Sequence, residues 1–384
     1  MDKRGDKLVE ITTEDRTSRN YLKTASIVEN WVKLYNNILY CSWVERDDAD
    51  RGQVWLGQLN LSNHEWNDVK LSSEETNKRF VSFDIDLENN KIYFIYLDPH
   101  MYVGSCNLDG SDWTSDKKFD DTSWSVSPFL RIYNGWVYFA FIDSTAGGIK
   151  AGKMDLNFNN FSQKVLWEWP HDLYNAYISN FQIYNDDIYL IAYLDQEIYT
   201  YKCDINWDNE SYTLRKTTGD WIGYIKSEIL GENMYCAWDQ FADIGGANLW
   251  ASKWNVITNK WQHWQLTYDD ESVTNVRPSI IIDKNKRNIF YAWLKDFSGI
   301  TGLAYEMEGG TGSVINDSFI RYDLDELPLW GRVTSLVLEC SQNQVYYFWI
   351  EIINNQRQIV TGIRDLELKH FYLRAIRGGT VTYL

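Results

Sequence analysis

The sequence is poor in cysteine, histidine and proline, and it contains no long hydrophobic run. Its 384 residues include five cysteines, five histidines and five prolines. No uninterrupted apolar stretch approaches the roughly 18 residues of a membrane-spanning helix. The polar start, Met1–Lys7, lacks the apolar core of a signal peptide. We therefore expect neither a signal peptide nor insertion into a membrane.

The cysteines lie singly in apolar, strand-like segments and lack the paired spacing of zinc ligands. They are Cys41, Cys106, Cys203, Cys236 and Cys340. We interpret them as buried thiols in a reducing compartment. The expected location is the cytoplasm, or the exterior after release by an unconventional route.

Several functional motifs are absent as well. The sequence has no HExxH, CxxC, GxSxG or glycine-rich phosphate loop, and its histidines are dispersed. We assign no catalytic residue and no metal ligand, and we expect no cofactor. One hypothesis stays open: the acidic segment Asp47–Asp50 offers oxygen atoms of the kind that bind calcium.

The charge balance argues against nucleic acid as a partner. Acidic residues number 54 against 37 basic residues, for a formal net charge of −17. Such a molecule repels phosphate backbones and anionic membranes. The oligomeric state is left open by the composition.

Aromatic residues are abundant and follow a repeat. With 19 Trp, 26 Tyr and 16 Phe, the chain is too aromatic to be disordered. An apolar residue, an aromatic residue, one or two small or apolar residues and a closing aromatic residue recur seven times. The closing aromatic residues are 43, 96, 141, 193, 238, 293 and 349, spaced by 45 to 56 positions. This period is typical of four-stranded propeller blades.

Each copy has the same surroundings. A second apolar run and a short Asn/Gly/Asp turn precede it, as in Asn134-Gly135, and predict a β-hairpin. A third run, which often contains one glycine, follows. An Asn or Asp then comes six residues before an aromatic residue, as in Asn60 and Trp66. We expect the Asx side chain to close the turn between strands three and four.

These features predict an all-β fold, a seven-bladed β-propeller of four-stranded antiparallel blades. We expect one domain over residues 1–384, with seven repeats over residues 27–375. Residues 1–26 form an N-terminal segment, in which Lys7–Thr13 is strand-like and able to pair with the last blade. Residues 376–384 form a C-terminal tail. Most aromatic side chains should fill the space between blades.

The segment Pro278–Asp283, followed by Ile289–Trp293, resembles the repeats of bacterial sialidase-like and lectin-like propellers. The resemblance extends over about residues 27–375. The Asp-box of that group, Ser-x-Asp-x-Gly-x-Thr-Trp, is not intact, since Asp109–Trp113 is one residue too short between Asp and Trp. The resemblance therefore implies the fold and leaves the chemistry open.

A binding site is expected on the face where strand two ends and strand one begins, which we call the upper face. Carboxylates follow the closing aromatic residue in every repeat, and four of them are candidate ligand contacts: Asp98, Asp143, Asp195 and Glu351. Aromatic residues before strand one provide four more: Trp124, Tyr177, Trp221 and Trp330. The alternative for the carboxylates is that each fixes the turn that follows it, and the alternative for the aromatic rings is that they pack between blades.

Arginines that immediately precede strand one, Arg79, Arg277 and Arg332, are the remaining candidates. The resemblance to sialidases implies that these arginines clamp a carboxylate of the ligand. The alternative is that they cap contacts between blades. Rings beside carboxylates suit sugars, so we favour a carbohydrate-binding, lectin-like module with a glycan partner. A glycosidase, or a lyase using His100 and a tyrosine, is the first alternative, and a protein-interaction scaffold is the second.

Overall fold

A computed structural model of the chain shows strands and turns. The residues described are 9–12, 32–46, 51–63, 65–72, 78–98, 100–114, 117–120, 125–143, 147–168, 176–194, 196–217, 221–241, 246–267, 274–283, 288–296, 305–313, 318–329, 332–341, 344–353, 356–365, 370–379 and 381–383. In these ranges every regular element is a β-strand, and no helix is long and apolar enough to cross a membrane.

Seven four-stranded antiparallel units, called blades 1 to 7, follow one another along the chain. Blade 1 contains β2 (Val32–Tyr35), β3 (Ile38–Arg46), β4 (Gly52–Asn60) and β5 (Trp66–Lys70). Blade 2 contains β6 (Arg79–Asp86), β7 (Lys91–Asp98), β8 (His100–Asn107) and β9 (Lys117–Asp120). Blade 3 contains β10 (Ser125–Tyr133), β11 (Trp136–Asp143), β12 (Gly148–Asp155) and β13 (Ser162–Glu168).

The remaining blades repeat this order. Blade 4 contains β14 (Ala176–Tyr184), β15 (Asp187–Leu194), β16 (Glu197–Asp204) and β17 (Ser211–Thr217). Blade 5 contains β18 (Trp221–Leu230), β19 (Asn233–Phe241), β20 (Ala247–Asn255) and β21 (Lys260–Gln265). Blade 6 contains β22 (Thr274–Asp283), β23 (Asn288–Asp296), β24 (Tyr305–Ser313) and β25 (Ser318–Leu329). Blade 7 contains β26 (Arg332–Ser341), β27 (Gln344–Ile353), β28 (Gln356–Asp365) and β29 (His370–Gly379). The fold is a β-propeller, which confirms the predicted fold class.

Two short strands lie at the outer edge of blade 7. β1 (Val9–Thr12) pairs with β29 in parallel and with β30 (Val381–Tyr383) in antiparallel orientation. Blades 1 and 7 also meet directly, because Val32, Leu39 and Tyr346 belong to one buried cluster. The first and last blades are therefore neighbours in space.

Sequence patterns account for the turns. The predicted hairpin at Asn134-Gly135 is confirmed, and both residues have positive φ, 47° and 73°, as in a tight two-residue turn. The Asx turns are also confirmed at Asn60, whose Oδ1 accepts the N–H of Ser62 at 2.9 Å, and at Asp155, which accepts the N–H of Asn157 at 2.9 Å. In a third copy of this turn, at Asn107, the side chain is the donor instead of the acceptor: its amide donates to Ser111 Oγ at 3.0 Å.

The aromatic repeat forms the core. Trp43 of strand two stacks on Trp55 of strand three, with centroids 6.2 Å apart, and on Trp66 of strand four at the same distance. Gly57 lies beneath these rings, where an added Cβ would be 2.3 Å from Trp66 Cη2. The glycine of the third run and the aromatic residue of the outer strand thus form one packing unit. Cys41, Cys106, Cys203 and Cys236 are buried as predicted, whereas Cys340 is partly exposed.

Basic side chains on outer strands connect each of three blades to the next. The Nζ of Lys117 donates to the carbonyl of Phe158, and that of Lys164 donates to the carbonyl of Trp207 at 3.1 Å. Arg215 repeats the contact with the carbonyl of Asn259 at 3.0 Å. Each acceptor lies in the turn between strands three and four of the following blade, so unpaired turn carbonyls gain a donor.

A buried carboxylate connects the inner strands of blades 1, 2 and 3. Asp84 accepts the N–H of Ile85 and that of Ile132, both at 2.9 Å, and it also accepts a bond from Lys33 Nζ. Burial opposes ionisation of this group, but the charges of Lys33 and Arg131, together with the hydrogen bonds from Lys33 and Ile132, outweigh burial and lower the pKa of Asp84. Its negative charge is therefore part of the folded state at neutral pH.

We expect Asp84→Ala to lower the free energy of unfolding by about 3 kcal/mol, because two backbone donors and Lys33 lose their acceptor. The loss should be largest at neutral pH. It should shrink as the pH falls through the lowered pKa, since protonation removes the same stabilisation from the wild type. Urea unfolding over a series from pH 7 to pH 2 measures both effects. Asp187→Ala, which removes a more exposed partner of Lys202, should cost about 1 kcal/mol or less.

Gly57→Ala is expected to destabilise the protein by about 1–3 kcal/mol, because the new methyl group must displace the Trp66 ring. In a Trp66→Ala background the same substitution should cost less. A four-variant cycle of urea midpoints measures the coupling. Equal costs in the two backgrounds would contradict the packing unit.

Candidate functional site

The upper face carries a recurring irregularity. In six blades the first strand has a β-bulge opposite the end of the second strand. The bulges lie between Arg79 and Val81, Val126 and Phe129, Ile178 and Asn180, Ile222 and Ile225, Val276 and Ser279, and Val333 and Ser335. Bulges change the direction in which side chains point and are common beside functional sites.

Two of the predicted carboxylates engage lysines of the fold. Asp98 Oδ2 lies 3.1 Å from the Nζ of Lys78, whose side chain is fully buried. Asp143 Oδ2 lies 2.7 Å from the Nζ of Lys150. Both aspartates are buried. Their roles as ligand contacts stay predictions, and the part they play within the fold is ion pairing.

A third carboxylate bridges two blades. Asp239, in β19, is 0% exposed, and its Oδ1 accepts the N–H of Tyr224. Its Oδ2 accepts the N–H of Arg277 at 2.9 Å. Burial raises the pKa of Asp239 to about 6, although these two bonds and the charge of Arg277 act in the opposite direction.

Three rings remain exposed near the upper-face ends of β14 and β18. Tyr177 is 41% exposed, Trp221 46% and Tyr224 41%, and we call these three side chains the aromatic rim. Tyr177 and Trp221 lie at the start of β14 and β18, within strands rather than in the connections predicted from the sequence, and Tyr224 follows in β18. Exposed rings on adjacent blades contrast with the buried aromatic core behind them.

Buried groups hold the aromatic rim in place. Tyr177 stacks on Tyr193, with ring centroids 5.2 Å apart and planes inclined by 20°. The hydroxyl of Tyr193 donates to the carbonyl of Gly223, which lies in the bulge between Ile222 and Ile225. A continuous set of contacts therefore links the blade 4 ring to the blade 5 bulge.

Arg277 belongs to the same surface. Its guanidinium carbon lies 5.5 Å from the centroid of Tyr224, which is cation–π distance. Its Nη1 is buried, and no acceptor among the described residues bonds to it. Its φ is +56°, which is unfavourable for an L residue without external support.

The three arginines do not occupy equivalent positions. Arg79 is the first residue of β6, one residue before its bulge, whereas Arg277 lies within the bulge of β22. Arg332 begins β26, and its side chain lies outside the described residues. The expectation that all three precede strand one is therefore corrected, since they are strand residues at different registers.

Other predicted residues lie outside the described part of the chain. These are Trp124, Asp195 and Trp330, together with the acidic segment Asp47–Asp50. Glu351 is in β27, but its side chain is not described. Within the described residues, no group of three or more His, Cys, Asp or Glu side chains is arranged to hold a metal ion.

The sequence contains signals for two further residues of the site, Asp239 and Gly223. Asp239 directly follows its closing aromatic residue, Trp238, whereas Asp98 and Asp143 come two residues after theirs. The one-residue offset places its side chain on the other face of the strand. Gly223 inside a strand pattern is a bulge signal. No local sequence pattern, by contrast, indicates that Lys78 is buried beside Asp98.

We expect Gly223→Ala to disturb the aromatic rim. An added Cβ would lie 2.6 Å from Asp239 Oδ1 and 2.6 Å from Phe241 Cε2, so the carboxylate or the ring must move. The expected cost is about 1–3 kcal/mol of unfolding free energy. Urea unfolding measures it, and a cost below about 0.5 kcal/mol would show that the bulge tolerates a side chain.

No protein-family model and no curated protein sequence matches the chain. Solved structures do match it. One is the polysaccharide lyase Uly1, with a TM-score of 0.58 and 10% identity over 94% of this chain and 98% of that chain. Another is a prolyl endopeptidase structure, with a TM-score of 0.55 and 12% identity over 92% of this chain and 49% of that chain.

The NanB sialidase from Streptococcus pneumoniae is also similar, with a TM-score of 0.49 and 9% identity over 99% of this chain and 70% of that chain. At such identities the likeness is one of fold alone. A lyase and a peptidase share this fold, so the chemistry must be sought in the side chains. The predicted resemblance is confirmed as a resemblance of architecture: the chain has a propeller fold similar to those of carbohydrate-active enzymes.

Proposed function

We propose that the protein is a carbohydrate-binding module that contacts sugars through the aromatic rim. The observation that carries this proposal is the set of three half-exposed rings, Tyr177, Trp221 and Tyr224, of which Tyr177 stacks on the buried Tyr193 and Tyr224 is bonded through its backbone to the buried Asp239. A glycan or glycoconjugate is the partner that this surface suits.

The chemistry of the rings supports a sugar ligand. One face of a pyranose ring is a patch of apolar C–H groups, and an aromatic face accepts it. Tyr177 is stacked on Tyr193, and the backbone of Tyr224 is bonded to Asp239. Because these positions are fixed before binding, little conformational entropy is lost when a sugar binds.

Arg277 supplies the polar contact. Its guanidinium rests against Tyr224, and its buried Nη1 has no acceptor among the described residues. The side chain as a whole is half-buried, and its charged guanidinium would donate to a hydroxyl or carboxylate oxygen of a bound sugar. Stacking and hydrogen bonding would then come from adjacent blades.

The state of the carboxylates favours binding over glycoside hydrolysis. Hydrolysis generally requires two carboxyl groups that flank the scissile bond. Three carboxylates of the described upper face are already engaged within the fold: Asp98 and Asp143 are paired with lysines, and Asp239 is fully buried against backbone donors. The similarity to Uly1, which its name identifies as a polysaccharide lyase, supports carbohydrate as the ligand class.

A printed oligosaccharide panel tests the proposal. The panel contains cellotetraose, tetragalacturonate and 3′-sialyllactose, and it is probed with the purified full chain at pH 7.5. We expect at least one member to bind. We expect Trp221→Ala and Tyr177→Ala each to weaken its affinity about tenfold, which corresponds to about 1.4 kcal/mol.

Tyr212→Ala is the matched control. This ring is 65% exposed and stacks on Trp167, but it lies on the outer strand β17 rather than on the upper face. Its removal should leave affinity unchanged. Equal losses for Tyr212→Ala and Trp221→Ala, or release of cleaved product in the same wells, would contradict a binding module that uses the aromatic rim.

A further inference from the structure

Asp239 occupies an unusual place behind the aromatic rim. It is fully buried, yet both of its carboxylate oxygens reach backbone donors on different strands. Tyr224 belongs to β18 of blade 5, and Arg277 belongs to β22 of blade 6. A single side chain therefore connects two inner strands at the site.

The two bonded amides lie within the bulges. The bulge of β18 falls between Ile222 and Ile225, and that of β22 falls between Val276 and Ser279. A bulge leaves an amide without a ladder partner, and here the carboxylate accepts it. The same residues, Tyr224 and Arg277, carry one of the exposed rings of the site and its guanidinium.

The backbone of Arg277 needs this support. With φ at +56° it occupies the left-handed region, which an L residue adopts only when its surroundings hold it there. The bond from its N–H to Asp239 Oδ2, at 2.9 Å, contributes to holding it there. Loss of this bond would allow the guanidinium to leave Tyr224.

We propose that Asp239 is a positioning residue of the carbohydrate site: its negative charge holds Tyr224 and Arg277 in the orientation that binds sugar, and its protonation in mild acid releases them. This inference rests on the proposed function of the aromatic rim. It adds to that function a residue that never touches the sugar, and a pH range over which affinity changes.

The surroundings of Asp239 place its titration in that range. Burial raises its pKa to about 6. Arg277 of β22 is the charged side chain that acts on it, and Tyr224 of β18 is the titratable neighbour bonded through its amide. On β20, the residue paired with Asp239 is Leu249, which is apolar. The carboxylate therefore changes its charge between pH 5 and pH 7.5.

The direction of the effect follows from hydrogen-bond strength. A carboxylate accepts an N–H bond at each oxygen, whereas a carboxylic acid has one oxygen that is a donor and a weaker acceptor. Protonation thus weakens at least one of the two bonds to the bulges. We expect affinity for the panel oligosaccharide that binds wild type most strongly to be about five- to tenfold lower at pH 5.0 than at pH 7.5.

Asp239→Asn provides the direct test, because an amide oxygen accepts one N–H while its NH₂ group faces the other donor. At pH 7.5 the variant should bind that oligosaccharide about as weakly as wild type binds at pH 5.0. Its affinity should change less than twofold across the range. Asp187→Asn, which alters an ion pair with Lys202 at the opposite end of blade 4, should keep the wild-type pH profile.

A second measurement needs no variant, in case Asp239→Asn does not fold. If the ionised form binds more tightly, binding must lower the pKa of the carboxyl, so protons are released at pH 6. Calorimetry in buffers of different ionisation enthalpy measures this release. We expect about half a proton per binding event, whereas zero release or net uptake would overturn the proposal.

The outcomes separate the two proposals. Binding that is lost in Trp221→Ala but is independent of pH would overturn the role of Asp239 and leave the carbohydrate site intact. A variant, Asp239→Asn, that folds and retains the wild-type pH profile would have the same consequence. Failure of every panel member to bind at pH 7.5 would overturn the proposed function, and this inference with it.

Discussion

The propeller depends on polar side chains that bond to the backbone of a neighbouring blade's inner strand. Apart from one parallel bridge, Ala247 to Thr274, the described blades share no β-ladder with one another. Apolar packing fills the space between them but does not fix a register. Asp84 bonds to Ile132 and Asn180 bonds to Ser227, so specific bonds supply that register around the ring.

The candidate site uses the same device at the upper face. Asp239 bonds to two inner strands, as Asp84 does, but its donors lie in bulges rather than in regular ladder. In our proposal, one group thus both stabilises the ring and positions the exposed side chains. This explains how a strained residue such as Arg277 persists at a surface where a ligand would need it.

Much of the fold was predictable because the repeat encodes burial directly. The closing aromatic residues Trp43, Tyr96, Trp238 and Trp293 are all buried, and their spacing reports the blade length. Alternation and turn chemistry are local properties, so hairpins and Asx turns follow from a few neighbouring residues. The strands of each blade could be placed on that basis.

The site was less predictable because its contacts are not local. Asp98 looks like an available rim carboxylate in the sequence, but Lys78, from before the preceding strand, neutralises it. The register shift produced by each bulge also decides which residue reaches the upper face, and a sequence pattern does not specify it. The bridging role of Asp239 depends on two strands that lie about 15 and 38 residues away from it in sequence.

Hydrogen exchange of the full chain, with and without the strongest-binding panel oligosaccharide, tests the central claim most directly. A sugar on the aromatic rim should slow exchange in the first residues of β14 and β18 and around the bulge of β22, while β13 and β17 stay unchanged. Protection confined to the outer strands, with no change at the three inner strands, would contradict a carbohydrate site on the aromatic rim.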